Sequence, residues 1–146
     1  MNAAKRILLL VLQPDLEAQS EFISVLTRIH LTPEVKFVAS ETELLEYLNK
    51  AKNEENKQQY PLPGIILLSM EIESDLTCGL IEKIKVEYLL SHIPIILMCK
   101  DFSHKNLVKA YDYGANSVIR NPVRFDSLVE LMSVFDDYWF GCVQLP

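Results

Sequence analysis

The sequence predicts an α/β fold in which helices cover both faces of a five-stranded parallel sheet. Short, continuous runs of Ile, Leu and Val recur along the chain, as in strands that are buried on both faces. Segments with helical apolar spacing separate these runs. The chain has 146 residues, close to the size of one domain, so we expect a single domain over 1–146 with a short C-terminal tail at 139–146.

Five predicted strands alternate with five predicted helices. The strands span 6–12, 34–39, 64–70, 93–99 and 117–119. The helices span 15–30, 41–51, 78–90, 104–114 and 125–139. Ser40 and Glu43 have the spacing of a capping box, which predicts that the second helix begins after Ser40. The polar stretch 52–63 contains two prolines and is interpreted as a solvated loop.

The charge balance and the lengths of the apolar runs exclude several functional classes. Fourteen Lys and Arg against twenty Asp and Glu give a net charge of −6, which repels nucleic acid and anionic lipid. Every apolar run is far shorter than the roughly 20 residues that cross a bilayer. Cys78, Cys99 and Cys142 form no CxxC pattern. We therefore expect a cytoplasmic protein with reduced thiols, no cofactor, and no nucleic-acid or membrane partner.

Several short motifs occur in a characteristic order. They are "KRILL" at 5–9, "LPGIILL" at 62–68, "GANS" at 114–117 and "YW" at 138–139. Together they resemble the CheY-like receiver domains of response regulators, and most of all the small single-domain regulators that partner phytochrome-type histidine kinases. The resemblance covers nearly the whole chain. It implies a flavodoxin-like, doubly wound sheet with strand order 2-1-3-4-5 and a site at the carboxyl ends of the strands.

The positions that carry phosphoryl chemistry in this family have other residues here. The resemblance places the phosphoacceptor aspartate at Ser69 and the acid pair that holds Mg²⁺ at Val11 and Leu12. Val11 and Leu12 offer no side-chain oxygen to a cation that binds through oxygen ligands. A serine hydroxyl also needs a base before it can attack phosphorus, whereas an aspartate is already ionised. We therefore expect that Ser69 does not accept phosphate and that no metal is bound.

Three further family positions also differ. The Thr or Ser at the end of the fourth strand corresponds to Met98, the lysine that pairs with the acceptor to Asn121, and the aromatic switch residue to Val118. Without the metal and the lysine, the charge that develops on a transferred phosphoryl group is not neutralised. The resemblance therefore implies a degenerate receiver, or pseudo-receiver, that is not an enzyme.

Loop residues near the strand ends leave an alternative open. These residues are Gln13, Asp15 and Glu17 after the first strand, and Glu71, Glu73 and Asp75 after the third. They could hold a cation in place of the missing acid pair; the interpretation we favour is that Asp15 caps the first helix and the others are solvated charges. The histidines at positions 30, 92 and 104 have no metal-ligand spacing.

A second functional class is a receiver-like sensor. In this hypothesis the former phosphorylation pocket binds a small molecule, or it responds to thiol oxidation. Cys99 ends the fourth predicted strand and Cys78 follows the third, so both lie toward one end of the predicted sheet. That nearness is the basis for a redox-sensitive pair; the alternative is two ordinary reduced thiols.

Aromatic residues near the end of the sequence predict an interaction surface. Tyr138, Trp139 and Phe140 are consecutive, so they cannot all share one inward stripe of a helix. Either the tail folds back over the domain or an aromatic patch is exposed, and exposed aromatic patches often mark interfaces. Receivers use the face of helix four, strand five and helix five for dimers and output partners. We expect self-association, or a histidine kinase or response-regulator partner, at a face that includes Tyr111, Tyr113, Phe125, Tyr138, Trp139 and Phe140.

Overall fold

The computed structural model describes residues 8–28, 34–70, 75–88 and 90–120. Strands and helices alternate along these ranges. The strands are β1 (Leu8–Leu12), β2 (Glu34–Val38), β3 (Ile65–Ser69), β4 (Ile95–Cys99) and β5 (Ser117–Arg120). The helices are α1 (Leu16–Arg28), α2 (Glu41–Ala51), α3 (Asp75–Glu82) and α4 (His104–Asp112). The predicted fifth helix and the tail at 139–146 lie outside the described residues.

The five strands form one sheet in the order β2-β1-β3-β4-β5, and every neighbouring pair is parallel. The predicted α/β class and strand order are confirmed. The register aligns Leu12 of β1 with Leu68 of β3, and Ser69 of β3 with Met98 of β4. Because all strands run in one direction, their carboxyl ends meet along one edge, where the predicted site is expected.

Two apolar clusters form the core, one on each face of the sheet. Successive strand residues point to opposite faces, so β1 contributes Leu10 to one cluster and Leu9 to the other. On the first face α2 and α3 supply buried residues such as Leu48 and Ile81. On the second, α1 packs through Phe22, Val25 and Leu26. Burying one such side chain stabilises the fold by about 1.5–3 kcal/mol.

The second helix begins as the sequence predicts. The hydroxyl of Ser40 accepts a hydrogen bond from the Glu43 N–H at 3.1 Å, and the Glu43 carboxylate accepts one from the Ala39 N–H at 2.6 Å. These contacts satisfy N–H groups that have no partner within the helix. The predicted start of the helix after Ser40 is confirmed, and the reciprocal bond of Glu43 goes to the Ala39 N–H rather than to that of Ser40.

The third helix departs from its predicted bounds of 78–90. It begins earlier, at Asp75, and widens into a π-helical segment at Lys83–Glu87. In that segment the Tyr88 N–H donates to the Lys83 carbonyl, five residues back, at 3.0 Å. The apolar spacing of the sequence predicted a helix here but not this widening. Within the described ranges, none of the helices combines the length and apolar character that crossing a bilayer requires.

Candidate functional site

The positions at which the receiver resemblance places the metal ligands are occupied by buried apolar side chains. Val11 and Leu12 end β1 and are almost fully buried, on opposite faces of the sheet. They lie beside Leu67 and Leu68 of β3 in the parallel register. The carboxyl end of β1 is therefore part of the two core clusters.

Ser69 lies at the end of β3, beside a polar residue that follows β1. Its Oγ accepts a hydrogen bond from the side-chain amide Nε2 of Gln13 at 3.0 Å. Ser69 is half-buried and aligns with Met98 of β4. The neighbouring Met70 N–H donates to the Met98 carbonyl at 3.1 Å. A neutral amide–hydroxyl contact therefore bridges the ends of β1 and β3.

Gln13 is the centre of this network. Its N–H donates to the Val38 carbonyl at the end of β2 at 2.9 Å, and its Oε1 accepts from the Asp15 N–H at 3.0 Å. Its carbonyl oxygen accepts from the side-chain amide of Gln19 in α1 at 2.7 Å. With Ser69 included, one residue connects β1, β2, β3 and α1. We shall call Gln13 and Ser69 the strand-end pair.

The sequence had indicated Gln13 only as one of six loop residues that could hold a cation. In the structure its side-chain amide makes two hydrogen bonds within the protein: Nε2 donates to Ser69, and Oε1 accepts from the Asp15 N–H. The signal in the sequence was that Gln13 and Ser69 are the polar residues next to two buried strands. Pairing them required knowing that these strands are neighbours.

The predicted cap of the first helix is present. The Asp15 carboxylate accepts a hydrogen bond from the Glu17 N–H at 2.9 Å, so it satisfies an N–H group of the first turn of α1. Glu71 and Glu73 lie outside the described residues, as does the side chain of Asp75. For those three, the alternative of a loop cation site stays a prediction.

The side chains of the strand-end region do not suit a divalent cation. Magnesium prefers hard oxygen ligands, with carboxylates foremost. Val11 and Leu12 have none, and the amide oxygen of Gln13 already accepts a backbone hydrogen bond. Across the part of the chain that the structure describes, no cluster of three or more His, Cys, Asp or Glu side chains is placed to hold a metal. The magnesium site that the receiver resemblance implies does not fit these residues.

The two described cysteines are buried thiols. Cys78 lies in α3 and is 1% exposed, and Cys99 ends β4 with no exposed surface. Both are reduced in the structure. Burial among apolar residues opposes thiolate formation and access by an oxidant. The redox hypothesis stays an untested prediction.

The fifth strand is tied to the helix before it. Val118, half-buried against the core, donates its N–H to the hydroxyl of Tyr111 in α4 at 3.1 Å. Tyr111 nevertheless keeps 46% of its surface exposed, and Tyr113 and Val108 are also exposed. Tyr111 therefore links α4 to β5 while part of its surface stays exposed to solvent.

The other predicted residues of this region cannot be placed. Asn121 and the interface residues Phe125, Tyr138, Trp139 and Phe140 lie outside the described residues. The described part of the predicted face consists of α4 and β5, with Tyr111 and Tyr113 exposed.

Solved structures with the same architecture include several response regulators. The chain aligns with response regulator RPA3017 of red light signaling in R. palustris with a TM-score of 0.82, at 19% identity, covering 96% of this chain and 98% of that one. It aligns with the phosphorylated cyanobacterial phytochrome response regulator RcpA with a TM-score of 0.79, at 18% identity, covering 97% and 99%. The chain has the CheY-like receiver fold. At these identities the likeness establishes the fold alone.

Sequence comparison adds a weaker relationship. No protein-family model matches the chain. A probable methanogenesis regulatory protein, FilR2 of Methanothrix harundinacea, is 26% identical over 85 residues. The match spans 58% of this chain and 55% of that relative, or about half the length of each. The receiver fold is therefore recognised far more clearly from structure than from sequence identity.

Proposed function

We propose that this chain is a phosphorylation-independent pseudo-receiver that acts in signal transduction through protein association. The observation that carries the proposal is the hydrogen bond between Gln13 and Ser69. It bridges β1 and β3 where the receiver resemblance implies a metal-binding acid pair and a phosphoacceptor. The response regulators with the same fold, and the regulatory protein with partial identity, support a role in signalling.

The chemistry of the strand-end pair argues against phosphoryl transfer. To attack phosphorus, the Ser69 hydroxyl would need a base to take its proton. Gln13, the side chain recorded in contact with it, is a neutral amide that donates to the serine oxygen and cannot take that proton. Val11 and Leu12 supply nothing to neutralise phosphoryl charge. We therefore propose no catalytic activity at this position.

The strand-end pair instead holds the fold in one arrangement. Repelling carboxylates would favour bound cations and alternative side-chain positions, whereas an amide and a hydroxyl satisfy each other. The pair also joins β1, β2, β3 and the start of α1, so a local change there would disturb several elements at once. We infer that the surfaces of the domain are displayed constitutively.

The association surface we propose is the exposed side of α4 with β5 and the residues that follow it. Val108, Tyr111 and Tyr113 each keep more than a third of their surface exposed on α4 and just after it. Aromatic residues of this kind supply much of the binding energy of protein interfaces. The hydrogen bond that the Tyr111 hydroxyl accepts from the Val118 N–H of β5 holds its ring in place before a partner arrives. The occupant is a second copy, a histidine kinase or another response regulator.

The test is sedimentation velocity across a concentration series, with and without Mg²⁺ and beryllofluoride, a mimic of the phosphoryl group. We expect the same distribution of species in both conditions, because no ligand set for the mimic is present at Val11, Leu12 and Ser69. Replacing Tyr111 by Ser should weaken any association. A shift in sedimentation that requires the mimic would overturn the proposal that the domain is phosphorylation-independent.

A further inference from the structure

Strand β2 is an edge of the sheet, with β1 on one side and no other described strand beyond it. The Val38 carbonyl accepts from the Gln13 N–H, so it points toward β1. The backbone groups of successive strand residues alternate in direction, so Lys36 also points toward β1, whereas Val35 and Phe37 point their N–H and C=O groups away. The described residues provide no hydrogen-bond partner for these outward groups. This free edge of β2 can therefore pair with another strand.

The free edge carries a charge pattern that is complementary to itself. Side chains alternate between the two faces of the sheet, and Val35 and Phe37 pack on the α1 side. Glu34 and Lys36 therefore share the α2 side, where both are exposed. Among the described residues, neither has an ion-pair partner. We propose that β2 pairs antiparallel with β2 of a second copy of this chain, so that two five-stranded sheets become one.

A two-fold axis between the two Val35 residues defines the register of this pairing. Val35 then lies opposite Val35 of the copy, and the two exchange N–H···O=C hydrogen bonds through the groups that point away from β1. Glu34 lies opposite Lys36 of the copy, and Lys36 opposite Glu34 of the copy. These are non-hydrogen-bonded pairs, in which the side chains of antiparallel strands approach most closely. Each dimer therefore gains two pairs of opposite charge.

The charges also select the register and the occupant. An axis one residue along, at Lys36 or at Glu34, would place that residue opposite its own copy, and like charges directly opposite each other are destabilising. A lysine in an edge strand usually prevents pairing. Here Glu34 supplies the opposite charge when the partner is a second copy. A strand of a single charge sign would instead oppose one of the two residues with a like charge.

The α2 side of the free edge has room for the pairing. A concave space of about 200 Å³ is bordered by Lys36 of β2 and by Glu46 and Lys50 of α2. The Lys36 side chain can therefore turn toward a second copy without displacing α2. Only a few residues of each strand pair, so we expect a weak dimer that depends on concentration. Because β2 and β5 are opposite edges of the sheet, the pairing leaves the exposed side of α4 available to a different partner.

Charge reversal tests the pairing, by sedimentation velocity on the full chain. Glu34→Lys and Lys36→Glu should each weaken self-association by about tenfold, because each converts both opposite-charge pairs into like-charge pairs. An equimolar mixture of these two variants should associate as the wild type does. The double variant Glu34→Lys/Lys36→Glu should also recover association, because the exchanged charges still lie opposite each other. Glu55→Lys and Lys57→Glu, at exposed positions outside β2, are matched controls that should associate at the wild-type level.

Amide hydrogen exchange provides a second measurement, on the wild-type chain. The Val35 N–H points away from β1, so its exchange should slow as the protein concentration rises. The Lys36 N–H points toward β1 and should be protected at every concentration.

Several results would contradict the pairing. A wild-type chain that remains monomeric at all concentrations would overturn the second copy as occupant. Self-association that survives both single reversals but is lost in Tyr111→Ser would belong to the exposed side of α4 instead. Failure of the mixed variants to associate, or Val35 exchange that stays constant while the chain associates, would equally overturn the proposal.

Discussion

The two ends of the sheet are stabilised by different hydrogen bonds, between neutral side chains at one end and from a charged lysine at the other. At the carboxyl ends of the strands, the Gln13 amide and the Ser69 hydroxyl form a neutral bridge. At the amino ends of β4 and β5, a lysine from the π-helical segment is drawn in. The Lys85 Nζ donates to the carbonyls of Ile93 at 2.8 Å and Ser91 at 3.2 Å, and to the Asn116 side-chain oxygen at 2.9 Å.

The residues around Lys85 at the amino end are the more tightly packed of the two sets. The side-chain oxygen of Asn116, directly before β5, also accepts from the Ile95 N–H at 2.9 Å, so Lys85 and β4 share one acceptor. Gly114 has φ +118°, a conformation that favours glycine, and a Cβ there would lie 3.2 Å from Cγ of Lys85. Burial lowers the pKa of Lys85, while three neutral acceptors surround its ammonium group.

The two ends therefore differ in whether a charged side chain takes part in the hydrogen bonds. A charge beside Ser69 would make the carboxyl end sensitive to cations and phosphoryl groups, and Val11, Leu12 and Gln13 carry none. At the amino end, the ammonium group of Lys85 donates hydrogen bonds to two main-chain carbonyls and to the Asn116 side chain. We infer that the free energy of unfolding depends more on the contacts of Lys85 at the amino end than on the hydrogen bond between Gln13 and Ser69 at the carboxyl end.

The largest expected effect is at Lys85. Lys85→Met keeps most of the apolar stem but removes all three donated hydrogen bonds, and hydrogen bonds to a charged group contribute about 1.5–3 kcal/mol. We expect the free energy of unfolding to fall by about 2 kcal/mol, measured by urea denaturation. Lys57→Met, at an exposed position, should change it by less than about 0.5 kcal/mol. Equal effects of the two substitutions would remove the distinction between the ends.

The amino end should also respond to high pH. The Tyr47 hydroxyl donates to the carbonyl of Pro61, before β3, at 2.7 Å. Burial, with a smaller contribution from Glu34, raises the pKa of Tyr47 from 10.0 to about 12. Because the raised pKa favours the protonated side chain in the folded state, its stabilisation is complete below pH 10 and is lost as the pH rises to about 12.

The measurement is the free energy of unfolding across that pH range. The wild type should lose stability more steeply between pH 10 and 12 than Tyr47→Phe, which has no proton to release. Tyr113→Phe, at an exposed tyrosine, serves as the matched control. If the slopes of the wild type and Tyr47→Phe coincide, the buried hydroxyl does not govern this response.

The strand-end pair should contribute less. A double-mutant cycle of Gln13→Ala and Ser69→Ala isolates their hydrogen bond from the other contacts of Gln13. We expect a coupling energy of about 1 kcal/mol, the ordinary value for a neutral hydrogen bond. Additive effects of the two substitutions would mean that the bridge between β1 and β3 contributes nothing to stability.

The sequence predicted the fold but not these two networks, for a physical reason. Apolar runs and helical spacing are local, so the order of elements could be read from them. Gln13 and Ser69 are 56 residues apart and interact because β1 and β3 are neighbours. Lys85 binds two main-chain carbonyls, whose directions no side-chain pattern records.

The apolar spacing of the sequence also did not predict which helix residues are exposed to solvent. Leu16 shares the apolar spacing of the first helix yet is 75% exposed, because the inward stripe of α1 is formed by Phe22, Val25 and Leu26. Tyr111, predicted only as part of an interface, also has a structural hydrogen bond to β5. Spacing identifies residues that share a helix face, and tertiary packing decides which face is covered.

The smallest expected effect is the most informative about the carboxyl end. Ser69→Asp places an aspartate where the receiver resemblance implies the phosphoacceptor, yet we expect no binding of Mg²⁺ or of beryllofluoride by isothermal titration calorimetry. The new carboxylate would accept from the Gln13 amide, and Val11 and Leu12 would still provide no metal ligand. The triple variant with Val11→Glu and Leu12→Asp should gain Mg²⁺ binding at a cost in stability, since both positions are buried. Binding by Ser69→Asp alone would show that other acids, such as Glu71 or Glu73, complete a cation site.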